Sequence, residues 1–268
     1  MDLLPPDLFP ADKRYFDVVG GMLDAFNRML DPELLFCTFL LSLPGAGLML
    51  LTADKASMAA NAGLLCLAMP VFMLANMLLT FFIMRRAIVL KGIELGKKPA
   101  RMLDWIVLYI RVIILGCLSW YDLRLWLYAI GWGFAMLVLG TFMGLGAAPI
   151  IMLVILGVYA VIGVNMMRLL FANYFLFTSE EPESALPRKS HDLVKGQTLQ
   201  VAMAYVLPLA VGMAISLFYS GISNTVVRAL VQVGIMTPLG ALTAVYVASL
   251  YKFFCEGAPK PKAHPAKQ

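Results

Sequence analysis

The chain has 268 residues, 61% of them hydrophobic and only 14% charged, with a mean hydropathy of +0.84. A soluble domain is about half apolar and about a quarter charged, so this composition excludes an ordinary globule, and collagen-like, disordered and nucleic-acid-binding readings fall with it. The net charge of +5 is gathered into short segments between long apolar stretches, a pattern that reports orientation in a membrane.

The chain opens Met-Asp-Leu-Leu-Pro-Pro-Asp. A cleavable signal would be basic and then apolar, so none is expected. In 12–30 the apolar residues Tyr15, Val18, Val19, Met22, Phe26, Met29 and Leu30 recur at helical spacing opposite Asp17, Asp24, Asn27 and Arg28. This predicts an amphipathic helix lying along the interface and packed by its Met22/Phe26/Met29 face, with Asp31-Pro32 marking its end. Seven acids stand against three basic residues before residue 34. That is a poor match for anionic lipid, so the charged face is expected to meet protein, with the basic 85–101 stretch as a candidate.

Allowing about 20 residues per crossing, apolar runs stand at 34–51, 61–84, 105–120, 125–145, 150–177, 199–219 and 229–251. The 21 Lys and Arg divide as three before residue 34, one in 52–60, six in 85–101, three in 179–198, Arg228, four after 251, and Arg111, Arg124 and Arg168 in or beside apolar runs. Placing every rich segment in the cytoplasm needs an even number of crossings between 101 and 179, where three runs stand. The run 105–120 is short, holds Arg111 and ends in a polar cluster, so it is the segment expected not to cross. Six crossings with both termini inside are expected, with seven as the alternative. The basic stretch 85–101 contains Gly92, Gly96 and Pro99 and reads as a broken helix or loop. Pro32 to Pro44 and Gly196 to Pro208 share one spacing, a weak echo of duplicated hairpins.

Lipid gives helices no hydrophobic reason to associate, so small residues and polar contacts must do it. Gly140, Gly144 and Ala148, and again Gly240, Ala244 and Ala248, recur every four positions as smooth stripes. Asn76, Asn165 and Gln232 are expected to hydrogen-bond across helices, because an unpaired amide in hydrocarbon is costly. Pro44, Pro70, Pro208 and Pro238 fall inside apolar runs and should bend them, either as ordinary bundle features or as the frame of a midplane site. Trp105, Trp120, Trp126 and Trp132, with Tyr109, Tyr121 and Tyr128, suggest an aromatic belt at the interface.

No acid occurs in 34–53, 61–93, 123–179 or 193–255, which argues against proton-coupled transport. His191 and His264 lie outside the crossings, so bis-histidine haem within the bundle is not expected. The cysteines Cys37, Cys66, Cys117 and Cys255 form no CxxC pair and read as small apolar-run residues. No hydrolase, metalloprotease or nucleotide motif is present, so catalytic residues, cofactors and metals are not expected. Arg168 reads as snorkelling to the surface from its helix end, or as recognising an anionic headgroup or acidic partner. Arg111 could pair with Asp104 or Asp122.

The segment from Arg168 continues Leu-Leu-Phe-Ala-Asn-Tyr-Phe-Leu-Phe, then Ser179-Glu-Glu-Pro-Glu-Ser-Ala-Leu-Pro-Arg-Lys-Ser190, then Leu193-Val-Lys-Gly196. With Arg168, Glu181 or Glu183, Ala185, Leu186, Ser190, Lys195 and Gly196 in these places, the chain resembles a broad group of bacterial multi-pass inner-membrane proteins of mostly unassigned function. The group includes the membrane domain fused to some glycerophosphodiester phosphodiesterases. The resemblance extends loosely over 12–252 and implies about six crossings with interfacial helices; it brings no catalytic residues, the phosphodiesterase domain being absent from the sequence. Read from its residues, the same loop is an interfacial helix in which Pro182 and Pro187 set turns, Ser190 caps, and Leu193 and Val194 dip into the interface.

The expectation is therefore an all-α polytopic transmembrane helical bundle. It comprises an amphipathic cytoplasmic segment over 1–33, the bundle over 34–254, and a disordered basic tail over 255–268. Candidate polar or recognition positions are Asn76, Arg111, Asn165, Arg168, Glu181, Glu183, Ser190 and Lys195. The expected setting is a bacterial inner membrane, and the expected partners are membrane lipids and a protein at the cytoplasmic face, with no nucleic acid. The expected role is a non-catalytic accessory or scaffold subunit, with a transporter or lipid-handling protein as the alternative.

Overall fold

The computed structural model describes residues 15–52, 61–97, 99–118, 124–144 and 146–257. The tail from 258 and the expected positions Trp120, Tyr121 and Asp122 lie outside the described residues. The described residues form ten helices and no strand: α1 (Val18–Arg28), α2 (Pro32–Leu51), α3 (Ala62–Leu90), α4 (Met102–Leu118), α5 (Arg124–Phe142), α6 (Ala147–Leu169), α7 (Ala172–Thr178), α8 (Leu186–Val194), α9 (Thr198–Ser220) and α10 (Thr225–Gly257). Six stretches are long and apolar enough to cross a membrane: Pro32–Leu51, Ala68–Leu90, Arg124–Phe142, Ala147–Thr178, Thr198–Phe218 and Thr225–Glu256. The protein is an all-α polytopic bundle.

Helix starts follow side-chain chemistry. Asp31 accepts the Leu34 N–H at 3.0 Å with Pro32 behind it, and Asp17 accepts the Gly20 N–H at 2.9 Å. Asn224 accepts from the N–H groups of Val226 and Val227 at 3.0 and 3.1 Å. Each satisfies donors that the first helical turn leaves without intrahelical partners.

The helices associate as sequential hairpins, α2 with α3, α5 with α6 and α9 with α10, and α2 also packs along α10. The α2–α10 seam is antiparallel and built from small or short polar residues. A side chain at Gly240 would meet Thr38 at 3.5 Å, the Ser42 and Thr237 hydroxyls are 3.4 Å apart, and the Gln232 amide nitrogen stands 3.0 Å from where a Gly45 Cβ would be. Ala241 and Ala248 are fully buried in α10. Close backbone approach of this kind is how helices associate in lipid. In the α5–α6 hairpin, Gly157 lies under the Trp132 ring, whose indole N–H donates to the Leu153 carbonyl at 2.8 Å. The expected stripe through Gly140, Gly144 and Ala148 does not exist as one helical face. Gly140 packs on Ile150, but Gly144 has φ +68° and belongs to the turn between α5 and α6. That left-handed conformation suits glycine, so the residue sets the reversal instead of a helix contact. Pro44, Pro70, Pro208 and Pro238 all lie within helices.

One end of the bundle gathers α1, the 91–101 segment, α7, α8 and the last turns of α10. The Gly96 N–H donates to the Phe177 carbonyl at 2.8 Å, Lys252 reaches the Lys91 carbonyl at 3.2 Å, and Arg28 donates to the Leu90 carbonyl. The principal core lies here, with Phe81, Trp105, Phe171, Tyr174, Phe177, Leu186, Val194, Tyr246 and Tyr251 buried together. Because residues 96 and 177 touch, an even number of crossings separates them. The antiparallel α5–α6 hairpin supplies two, so α4 adds none. Its 17 residues span about 25 Å at ~1.5 Å each, short of the ~30 Å hydrocarbon. α4 starts with Trp105 against Phe81 and Phe177 and ends with Gly116 against Met166, lying across the gathered end. The basic stretch is helical through Arg85 and Arg86 and irregular from Lys91.

Trp105 departs from the expected belt. It is fully buried and donates its indole N–H to the Met77 carbonyl at 3.0 Å, since an amphipathic ring can be satisfied by a buried backbone acceptor as well as by an interface.

This parity is open to measurement. In a cysteine-free background, single cysteines at Lys97, Glu180 and Glu256 are expected to label from one side of the membrane and a cysteine at Ser223 from the other. Opposite sidedness of Lys97 and Glu180 would require seven crossings.

Candidate functional site

The gathered end is the candidate site, and its first component is the N-terminal arm. α1 packs on α10 through Phe16, which stands edge-on to Tyr246 and Phe253 with ring centroids 5.6 and 5.5 Å away. Gly21 permits this, because a Cβ there would lie 2.6 Å from the Phe16 ring. Ala25 is fully buried, and Met22 and Met29 complete the docked face. Phe26, expected on that face, is instead 57% exposed, in a row with Val19, Leu23 and Leu30. The helix therefore carries two apolar faces, one docked on α10 and one uncovered.

The acidic side of the arm meets the basic stretch, as its charge suggested. Asp24 pairs with Lys91 and, at 3.0 Å, with Arg28. Asp31 takes a bidentate fork from Arg86 at 2.9 and 2.6 Å, and Glu33 adds a third carboxylate contact to the same guanidinium at 3.0 Å. Asp31 thus caps α2 and ties it to α3 with one carboxylate. The Arg86 hydrogen bonds, outweighing burial, hold the Asp31 carboxyl below its ordinary value of 3.8. For Asp24, burial alone would raise the pKa, but hydrogen bonds from Lys91 and Arg28 more than offset it and leave it lowered.

The second component is the α6–α7–α8 junction. Arg168 does not snorkel: it is 1% exposed, and its Nε donates to the Thr198 hydroxyl at 3.2 Å. Ser190 sits in the middle of α8 and does not cap it. Its hydroxyl donates to the Arg168 carbonyl at 2.8 Å and accepts the Phe171 N–H at 3.1 Å, satisfying both backbone groups where α6 gives way to α7. Val194 is fully buried in the protein core, so it does not dip into the interface, and Leu193 is half-buried and packs against the same core. Two positions of the quoted resemblance, Arg168 and Ser190, meet directly at this junction. His191, also on α8, is buried, with Nδ1 3.2 Å from the Asp192 carboxylate.

The remaining candidates are dispersed. Asn165 is buried and donates to Val161 of its own helix at 3.0 Å. The expected cross-helix bonds are not formed by the side-chain oxygens of Asn76 and Gln232, which are buried without a hydrogen-bond partner among the described residues. Glu181 pairs with Lys189 at 2.7 Å, and Lys189 also stands 4.9 Å over the Phe175 ring. Lys195 is exposed at the end of α8. Arg111 makes no ion pair with Asp104 among the described residues; it is exposed and lines a cleft with Glu183.

Two clefts open at this end. One, of about 380 Å³, is bounded by Ile93, Phe175, Lys189, Tyr251, Lys252 and Glu256. The other, of about 350 Å³, lies between α4 (Val107, Leu108, Arg111) and Pro182, Glu183 and Ser184. Asn76, Asn165 and Arg168 line neither. Among the described residues no three His, Cys, Asp or Glu side chains converge to hold a metal ion. The arrangement can clamp helices together and present charge.

Ser190→Ala leaves a buried N–H and a buried carbonyl without their partner, so it should cost about 1–3 kcal/mol and lower the melting temperature of the detergent-purified protein. Asp31→Asn keeps a capping oxygen but loses the ion pair. Because the folded carboxyl is depressed, its stabilisation is present above the ordinary value of 3.8 and lost as pH falls through the lowered folded one. The variant should melt below the wild type near neutral pH, and the difference should shrink as pH falls below 3.8 and vanish below the lowered folded value.

Comparison with protein-family models, with curated proteins and with solved structures finds no match to this chain.

Proposed function

We propose that the protein is a non-catalytic accessory or scaffold subunit of a bacterial inner membrane, which binds another protein through its gathered, charged end on the cytoplasmic side. The observation that carries this reading is where the polar groups go. Thr38, Ser42, Thr237, Arg168, Ser190 and Thr198 are engaged in contacts within and between helices at the seams, and both clefts open at the charged end. The rich Lys and Arg content of that end supports a cytoplasmic placement by the positive-inside rule.

Much of the charge there is used internally: Arg86, Lys91 and Lys189 all pair with acids of this chain. Lys97 and Arg101 remain exposed and without ion pairs among the described residues, and Arg188 is 77% exposed. Charges of this kind steer association and fix its register. They are the surface a partner of opposite charge would meet.

The test is Lys97→Glu with Arg101→Glu in the full chain. The double variant should insert and melt like the wild type yet retain its co-purifying protein roughly tenfold less well, about 1.4 kcal/mol. Unchanged retention would remove the proposed surface. Solute movement by the purified wild type alone in proteoliposomes would replace the scaffold reading with a transporter.

A further inference from the structure

The cleft between α4 and the 182–184 segment has a composition the scaffold reading does not use. One wall, on α4, carries Arg111 with Val107 and Leu108, and the other carries Glu183 with Pro182 and Ser184. Arg111 is exposed and Glu183 half-buried, and neither forms an ion pair among the described residues. The neighbouring acid and base of the same loop are already matched, Glu181 with Lys189. The volume, about 350 Å³, falls within the ~300–1,000 Å³ range of small-molecule sites.

The setting selects the ligand. α4 adds no crossing, so Arg111 at its middle faces the polar loop and not the bilayer centre. Along the same helix Val107, Ile110, Ile114 and Leu118 are each about half exposed, at 53%, 48%, 51% and 54%. Such an uncovered apolar row on an interfacial helix is where acyl chains lie. A guanidinium binds phosphate through charge-assisted hydrogen bonds, and a carboxylate across the cleft accepts from a cationic amine.

We infer that this cleft binds the headgroup of a zwitterionic phospholipid, a phosphate joined to an ammonium, with the phosphate on Arg111, the amine on Glu183 and the acyl chains along the outer row of α4. An anionic lipid without the amine satisfies Arg111 only and leaves the Glu183 carboxylate against like charge. This inference stands whether or not the scaffold reading holds.

The experiment is native mass spectrometry of the full chain in mild detergent, titrated separately with phosphatidylethanolamine and phosphatidylglycerol. The wild type should retain phosphatidylethanolamine roughly tenfold better than phosphatidylglycerol. Arg111→Gln should lose both lipids. Glu183→Gln should lose phosphatidylethanolamine while keeping or gaining phosphatidylglycerol, so that the preference disappears. Both side chains lie at the surface, and matching melting temperatures will show that the variants fold. Equal retention of the two lipids by the wild type would overturn the assignment. So would an unchanged preference in Glu183→Gln, or unchanged lipid in both variants, as expected if Arg111 and Glu183 merely pair with each other. Displacement of the lipid by soluble phosphoethanolamine at equal concentration would also overturn it, by showing a site for a free solute.

Discussion

A helix in hydrocarbon gains nothing by burying leucine against leucine, because the lipid is as apolar as its neighbour. The rest of the architecture depends on that constraint. Along the crossings the helices meet through glycine, alanine and short hydroxyls, as at Thr38/Gly240 and Ser42/Thr237. The large aromatic core is placed at the gathered end instead, where Phe16, Phe81, Trp105, Phe171, Tyr174, Phe177 and Tyr251 converge. Toward that end, water is available as the alternative solvent, so apolar burial stabilises again. Ionic contacts then close it from outside, with Asp31 linking α2 to α3 and Asp24 linking α1 to the residue after α3.

Such a division makes the gathered end the most closely packed part of the described residues. α7 is buried over most of its length and is held on one side by Ser190 and on the other by Tyr251, whose hydroxyl shares a hydrogen bond with Thr178. The α5–α6 hairpin stands at the other extreme, with its own small cluster of Leu125, Ala129 and Val161 and long exposed faces bearing Phe134, Phe142, Met152 and Tyr159. Hairpin and core are joined through α4, which packs on α6, and through the end of α6 itself, which packs on α8 and places Leu169 in the core.

Periodicity and charge were enough to read much of this from the sequence. The apolar runs mark the crossings, the Lys and Arg distribution gives an even count between 101 and 179, and the excess of acids before residue 34 anticipates contact with 85–101. What could not be read was where individual side chains point. Arg168 near a helix end has the appearance of a snorkelling cation, because its partners Ser190 and Thr198 are 22 and 30 residues away and are ordinary polar residues. Phe26 fits the apolar face of an amphipathic helix by its spacing, and that spacing does not reveal that Phe16, ahead of the helix, is the ring that packs on α10. Gly144 keeps the spacing of a packing stripe while forming a turn, since periodicity does not reveal where a helix stops. The Arg111–Glu183 cleft joins residues far apart in sequence, and no local motif records it.

The links between paired helices have a consequence for how the protein is made. Residues 52–61, 143–146 and 221–224 join the two helices within each hairpin, and their sequence carries only Asp54 and Lys55 as charged side chains. Translocating short connections with so few charges costs little compared with moving a charge-rich segment through hydrocarbon. Each hairpin can therefore cross the bilayer as a pair of helices with little charge to carry, while nearly all the charged groups stay on one side. The aromatic core then assembles there, after α10 has been made and Tyr246 and Tyr251 are available to close it.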